Sequence, residues 1–282
     1  FRAVLDEFPA ATSVGEVGDA QRGLEIQAEY TSGGDKVHMC YDFAFLSNAY
    51  PTGTRVANVL EKFERVASDG WACWAYSNHD VVRHTSRWNL SDPAQRAYAA
   101  LLMAMRGSVC LYQGEELGLT EAYVPFEELQ DPYGIRFWPK FKGRDGCRTP
   151  IPWVQDNRNG GFSGGKPWLP MAMEHLEKAV AKQEQEPEGM LAFYRAMIAF
   201  RATQPALSKG TLQVAAHDDN SITLIRTHDD TRVLCALNLS DDAIPLMIPE
   251  GDWTTCTDAP FSADTTDTHL APWQALFATA PA

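Results

Sequence analysis

The chain is poor in positive charge: 24 lysines and arginines face 37 aspartates and glutamates, a formal net charge of −13 at pH 7. That balance argues against a nucleic-acid phosphate backbone or an anionic membrane as partner, while a neutral substrate is compatible with it. Long apolar runs are missing too, and no stretch reads as a transmembrane span or a secretory leader. Paired metal-ligand spacing is also lacking, because Cys40, Cys73, Cys110, Cys147, Cys235 and Cys256 are scattered singly. Cys73, Cys110 and Cys235 sit inside apolar runs, where a free thiol behaves as a small hydrophobe; this points to reduced thiols in a cytoplasmic protein. His38, His84, His175, His217, His228 and His269 share no metal-ligand spacing, and surface or core positions are their default. No metal site and no cofactor is expected.

What is present is enough apolar residue for a sizeable core. Of 282 residues, 45% are hydrophobic, which fits one large α/β domain plus a small appendage. The chain opens within helical periodicity, with Phe1, Val4, Leu5 and Phe8 on one face; starting there without a cap, it reads as truncated. Residues 12–19 read as a short strand carrying Glu16 at its carboxyl end, with Gly15 and Gly18 allowing close approach on either side. A helix over 21–29 and a strand over 36–46, running into Tyr41, Asp42 and Phe43, come next. Val56, Val59, Leu60, Phe63 and Val66 recur at helical spacing, so 54–68 is predicted as an amphipathic helix. A strand over 74–80 follows. The next helix is predicted to open with Asp92 as N-cap, Pro93 in the first turn and Gln95 placed for a capping box. Its apolar face is Tyr98, Leu101, Leu102 and Met105, Gly107 stops it, and a fourth strand covers 108–112. Strands alternating with helices, each strand ending in polar residues, are successive β/α units, and four of them make half of a closed eight-fold barrel.

From residue 119 to about residue 170 the periodicity is lost, and Gly, Pro, Arg and aromatic residues accumulate. A loop this long without low-complexity runs is predicted to be ordered and to cover a site, although Tyr133, Phe137 and Trp138 can equally serve only to pack it. Residues 173–185 and 189–203 look helical. Short alternating strands then run over 211–215, 222–227, 232–238, 243–248 and 274–279, suggesting a small antiparallel β-sandwich.

The stretch with most chemistry is Trp74-Ala75-Tyr76-Ser77-Asn78-His79-Asp80. An apolar run that fits a buried strand ends in an amide, an imidazole and a carboxylate. In α/β sheets the ligand site lies beyond the carboxyl ends of the strands. Asn and His offer directional hydrogen bonds and Asp a charge where a cation develops, a set suited to a polar, uncharged substrate such as a sugar. The alternative is a turn in which Asn78 and Asp80 cap the next segment.

Val14-Gly15-Glu16-Val17-Gly18, Ser77-Asn78-His79-Asp80, Tyr112-Gln113-Gly114-Glu115-Glu116 and Gly143-Arg144-Asp145-Gly146-Cys147-Arg148-Thr149-Pro150 occur in that order. Together they resemble the C-terminal part of bacterial α-glucosidases of the α-amylase superfamily, glycoside hydrolase family 13. The resemblance implies that residues 1–204 are the C-terminal half of a TIM (β/α)8 barrel, with the long loop 119–170, and that 205–282 form an antiparallel β-sandwich domain. It also implies retaining chemistry, in which two carboxyl groups roughly 5–5.5 Å apart act as nucleophile and acid/base. By resemblance Glu16 is the acid/base, and such an acid needs its pKa raised toward neutrality. Asp80 matches the carboxylate that stabilises the oxocarbenium-like transition state, and His79 would hold hydroxyls of the glucose. Arg144 matches an arginine closing the glucose pocket and Arg148 one nearer the leaving group. Phe43 is a wall for a sugar face or a core residue. Glu16 can otherwise be an ordinary carboxylate at a strand end, and Arg144 with Asp145 a structural ion pair. Glu115 and Glu116 fit support of the barrel or capping of its last helix better than chemistry.

One element of the family pattern has no match. Its nucleophile is an aspartate in a Gly-Phe-Arg-x-Asp setting; here Phe1-Arg2 is followed by Asp6 at the wrong offset, and Gly134-Ile135-Arg136-Phe137-Trp138 contains no aspartate. The resemblance therefore implies a retaining, exo-acting α-glucosidase of short oligosaccharides whose N-terminal half barrel is missing here, leaving this polypeptide inactive alone. Its rivals are a transglycosylating or sucrose-acting relative and a non-catalytic binding or assembly relative on the same scaffold.

Overall fold

The structure, a computed structural model, describes every residue of 1–282 except Ala20, Ser68 and Phe261. The chain divides into two units: Phe1–Ala75 with Arg96–Cys110 and Ala196–Ala282, and Tyr76–Gln95 with Leu111–Arg195.

The first unit begins with α1 (Arg2–Leu5), β1 (Val14–Glu16), α2 (Gly23–Thr31), β2 (Met39–Tyr41), α3 (Gly53–Val66) and β3 (Ala72–Trp74). The chain returns to it after α4 (His84–Arg87) and within α5 (Asp92–Ala104), then forms β4 (Ser108–Val109). The four strands are parallel and lie in sequence order. β1 pairs β2 with Glu16 opposite Tyr41, and β3 pairs β4 with Trp74 opposite Val109. All four carboxyl ends therefore lie on one edge of the sheet. α1 buries no residue, so its apolar face is left open.

Helix α3 forms for the reasons its sequence suggests. The Thr52 hydroxyl accepts from the Arg55 N–H at 3.2 Å, and Val56, Leu60 and Phe63 are buried. The predicted end at Ser68 lies outside the described residues. Trp74 anchors the layer between helix and sheet, with Phe63 and Phe45 ring centroids 5.5 and 5.8 Å away and its indole N–H donating to the Arg106 carbonyl.

Two details of α5 differ from expectation. Ser91, not Asp92, supplies the cap, accepting from the Ala94 N–H, and the Gln95 amide donates to the Leu90 carbonyl and to Asp92 Oδ1 instead of accepting the cap N–H of a capping box. The helix is also buried well beyond one stripe, since Ala97, Tyr98, Ala100, Leu101, Leu102 and Ala104 all have zero exposure. Its C-terminal carbonyls then have no water to face, and two arginines take that place. Arg226 donates to Ala104, and Arg201 to Met103, Met105 and Gly107. Cations at a helix C-terminus also favour its dipole.

The predicted strand over 74–80 ends at Trp74, two residues after it begins at Ala72. The last ladder bond runs from the Cys110 N–H to the Trp74 carbonyl. Beyond it, side chains capture the backbone: Arg87 donates to the Tyr76 carbonyl, and the Ser77 hydroxyl accepts from the His84 N–H. The predicted helix over 173–185 is likewise broken. A 3-10 segment, Met173–Lys178, meets α7 (Val180–Gln183) at an extended Ala179 in the second unit. The carbonyls of Pro152 and Trp153 accept the Val180 and Ala181 N–H groups, so a continuous helix would lose two tertiary bonds. That unit also holds α6 (Pro132–Phe137), while α8 (Met190–Thr203) leads back to the first.

After α9 (Pro205–Lys209) the chain is all strand: β5 (Thr211–His217), β6 (Ser221–His228), β7 (Thr231–Asn238), β8 (Ile244–Pro245), β9 (Thr254–Thr255), β10 (His269–Leu270) and β11 (Ala275–Pro281). An antiparallel five-stranded sheet, β5-β6-β7-β11-β9, and a β10-β8 ribbon enclose Ile225, Leu234, Leu270 and Leu276. The predicted strand over 243–248 reduces to Ile244–Pro245, and two-residue β9 and β10 are too short to show periodicity in sequence.

Replacing Arg226 by Met takes the donor from the buried carbonyl contacts at Ala104 and Gly210 and from the half-buried one at Thr211. A loss of about 2–4 kcal/mol is expected, read as a lower urea midpoint. Asp42 sets a pH dependence. Burial raises its carboxyl to about 6, against the Ala44 N–H and Gln27 amide that favour the ionised form. The folded state thus holds a proton that the unfolded chain releases near pH 4, and stability falls as pH rises from about 4 to 6. In Asp42→Asn, the part of the midpoint's decline that belongs to this window is expected to disappear.

Candidate active site

In the first unit, β1 ends on an exposed Glu16. With Gly15, Val17, Ile26, Tyr30 and Cys40 it lines an open cavity of about 500 Å³. Gly15 is required by the approach of β2: a Cβ there would lie 2.9 Å from Cys40 Sγ. Gly18 meets only open space, so the close approach expected on both sides of Glu16 exists at one. Phe43, two residues past β2, is half-buried and edge-on to Tyr41, with centroids 5.7 Å apart.

The second unit gathers four of the predicted residues around one carboxylate oxygen. Asp80 Oδ1 accepts from Arg144 Nη1 at 2.9 Å and Arg148 Nη2 at 2.8 Å, and lies 3.6 Å from His79 Nε2. Arg148 Nε also donates to the His79 carbonyl at 2.7 Å. Asn78 is buried and does not join this group. Its side-chain oxygen accepts from the Asp80 N–H at 2.8 Å, fixing the turn that presents Asp80. Neither residue caps the next helix, whose N-cap is Arg83 without a side-chain bond; Asn78 builds the turn that presents Asp80. Asp80 keeps 43% of its side chain exposed, and its second oxygen has no hydrogen-bond partner among the described residues. A carboxylate fixed on one oxygen and open on the other can meet a hydroxyl or a developing positive charge.

Arg144 does not pair with Asp145, as adjacent opposite charges had suggested. Its main partner is Asp131, whose Oδ2 accepts from Arg144 Nε at 2.9 Å and whose Oδ1 accepts from Nη2 at 3.0 Å. The Arg144 guanidinium holds the Asp131 carboxyl down to about 2, and Asp131 in turn raises the arginine. Asp145 is buried and instead accepts the Gln130 and Asp131 N–H groups at 2.6 and 2.8 Å.

Beneath the turn lies a buried polar layer. Arg83 spans it, donating to the carbonyls of Gln113 and Cys147 with its guanidinium 4.9 Å from the Tyr112 ring centroid. Its N–H meets the Glu121 carboxylate at 2.9 Å. His84 is buried against Tyr76 and Trp88, with Ser77 Oγ 2.9 Å and Glu115 Oε1 3.9 Å from Nδ1. Burial, aided by Arg87 and Arg83, lowers His84 to about 3, so it is neutral at pH 7. Glu116 accepts the Gly114 N–H at 2.7 Å and so holds its own turn. In the long loop, Trp138 packs on Val124, Leu129 and Leu169, whereas Tyr133 and Phe137 stack on each other and remain exposed.

Asp131 and Arg83 are the residues that motif reading missed. Arg83 stands three residues past Asp80, outside the motif, and Asp131 carries only a local signal, an Asp-Pro pair of the kind that opens a helix. Asp131 does cap α6, accepting the Tyr133 N–H at 3.1 Å.

The profile of the alpha-amylase catalytic domain matches residues 1–210. A probable alpha-glucosidase of Rhizobium meliloti (strain 1021) is 51% identical over 99% of this chain and 51% of its own length. An oligo-1,6-glucosidase of Heyndrickxia coagulans is 27% identical over 89% of this chain and 52% of its own length. The solved structure of the alpha-glucosyl transfer enzyme XgtA matches with a TM-score of 0.91 and 41% identity, over 99% of this chain and 52% of that one. The chain spans about half the length of these relatives. With its parallel β/α units, the TIM-barrel fold of those relatives and an added antiparallel β-sheet domain, the chain belongs to the alpha-amylase catalytic-domain family of glycoside hydrolases.

Proposed function

We propose that this chain is the C-terminal half of a retaining, exo-acting α-glucosidase that removes terminal α-linked glucose from short oligosaccharides in the cytoplasm. Residues 1–204 contribute to the barrel and 205–282 form the C-terminal domain. The observation that carries this reading is the Asp80 carboxylate, held on one oxygen by Arg144 and Arg148 and open on the other. Such a group stabilises an oxocarbenium-like transition state. Glu16 protonates the departing glycosidic oxygen and then takes a proton from the incoming water. His79 and Arg144 bind hydroxyls of the glucose, Arg148 lies toward the leaving group, and Phe43 offers a ring face to the sugar. The nucleophilic aspartate comes from the missing half of the barrel, without which no covalent intermediate can form.

A second reading has its own support. The 41% identity to an alpha-glucosyl transfer enzyme favours a parent that hands glucose to a hydroxyl acceptor other than water. The chemistry is the same up to the glycosyl-enzyme, and only the acceptor differs.

The isolated 282 residues are expected to show no turnover of p-nitrophenyl α-glucoside, and the full-length parent robust turnover. Robust activity from the isolated chain would refute the half-site argument. In the parent, Glu16→Gln is expected to lower kcat on maltose by about 10²–10⁴-fold, since the leaving alkoxide needs a proton. Product analysis with maltose, isomaltose and sucrose separates the two readings: free glucose throughout supports hydrolysis, and new glucosides at high acceptor concentration support transfer.

A further inference from the structure

Of the two arginines that meet Asp80, Arg144 is itself held by a carboxylate with no exposed side-chain surface. Asp131 has a side-chain exposure of 0%, against 28% for Arg144 and 43% for Asp80. It takes four donors: the Arg144 N–H, Nε and Nη2 at 2.9, 2.9 and 3.0 Å, and the Tyr133 N–H at 3.1 Å. A guanidinium is a planar fork, so fixing Nε and Nη2 fixes where Nη1 points. Here it points at Asp80 Oδ1, 2.9 Å away.

Two further contacts fix Asp131. Asp145 Oδ2 accepts the N–H groups of both Gln130 and Asp131, pinning the backbone from which the carboxylate extends. The segment 131–144 also closes at its base through two glycines. A Cβ on Gly143, at φ +83°, would lie 2.8 Å from Gly134 Cα, and one on Gly134 would lie 2.7 Å from the Lys142 carbonyl. The loop thus returns beside its own start, and Arg144 follows the pinch.

We propose that Asp131 and Asp145 are positioning residues of the sugar site: Asp145 fixes the turn that carries Asp131, and Asp131 aims Arg144 so that one oxygen of Asp80 is saturated and the other left to the substrate. This rests on the glucosidase reading of Asp80. The Asp131–Arg144 pair is more than a fold staple, because its free end is the contact to Asp80, the carboxylate that stabilises the transition state. A carboxamide at position 131 cannot accept from both Nε and Nη2, because one of its two ends is a donor. A lysine at 144 keeps the charge but loses the fork.

The test uses the full-length parent in four forms: wild type, Asp131→Asn, Arg144→Lys and the double variant. Crystal structures read the positioning directly. In Asp131→Asn the Arg144 Nη1 to Asp80 contact is expected to open beyond hydrogen-bond distance, and its persistence at the wild-type length would overturn the proposal. Kinetics read the consequence. Asp131→Asn is expected to lower kcat/KM on p-nitrophenyl α-glucoside by about 10–100-fold, the size of effect that small misplacements produce. The double variant is expected to match Arg144→Lys within about 2-fold, because both changes remove one interaction. Additive losses, or near-wild-type rates for Asp131→Asn, would overturn the proposal. If Asp131→Asn does not fold, Asp145→Asn in the same cycle with Arg144→Lys carries the test. Asp80→Asn is the control for the underlying reading: full activity there sinks the glucosidase assignment of Asp80, whatever the structures of the Asp131 variant show.

Discussion

Short strands leave many backbone carbonyls outside any ladder, and in this fold guanidinium groups satisfy them. The parallel strands are two or three residues long, so most of the chain between them must find partners elsewhere. Arg226, Arg201 and Arg106 meet carbonyls at and near the end of α5 and at Gly70. Arg83 meets those of Gln113 and Cys147, Arg87 that of Tyr76, and Arg148 that of His79. An unpaired buried carbonyl costs more than a hydrogen bond returns, which makes each of these arginines a fixed point. Arg226 is drawn down to about 10 by burial and so remains cationic at neutral pH.

The site uses the same device with one substitution, a carboxylate in place of a carbonyl. Arg148 joins the two uses, because its Nε holds the His79 backbone while its Nη2 holds Asp80. Arg144 sits between a buried and an exposed aspartate, and the exposure difference decides their roles. The buried one, held far below the usual carboxylate range, cannot change its charge near neutral pH. The exposed one keeps an oxygen open to solvent.

What could be read from sequence followed from what is local. The β/α alternation, α3 with its buried face, and α8 all show in the spacing of apolar residues, as does the antiparallel pattern after residue 205. The family showed because four motifs keep their order. Strand ends did not show: the run through Tyr76 is apolar throughout, while Arg87 and His84 fold back onto the chain just past Trp74, where the ladder stops. The break at Ala179 was hidden for the same reason, since the carbonyls that cause it lie some 27 residues earlier, at Pro152 and Trp153. Asp131 stands 13 residues before Arg144 inside an aperiodic loop, and no sequence spacing marks such a pair.

If Glu16 supplies and recovers the proton in a two-step displacement, as proposed, anion rescue reports it. In the full-length parent carrying Glu16→Ala, p-nitrophenyl α-glucoside needs no acid to depart, so the slow step becomes attack of water without a base. Azide needs no base. Azide is expected to accelerate turnover and to yield α-glucosyl azide with net retention. A rate indifferent to azide, or a Glu16→Ala enzyme as fast as the parent on maltose, would contradict it.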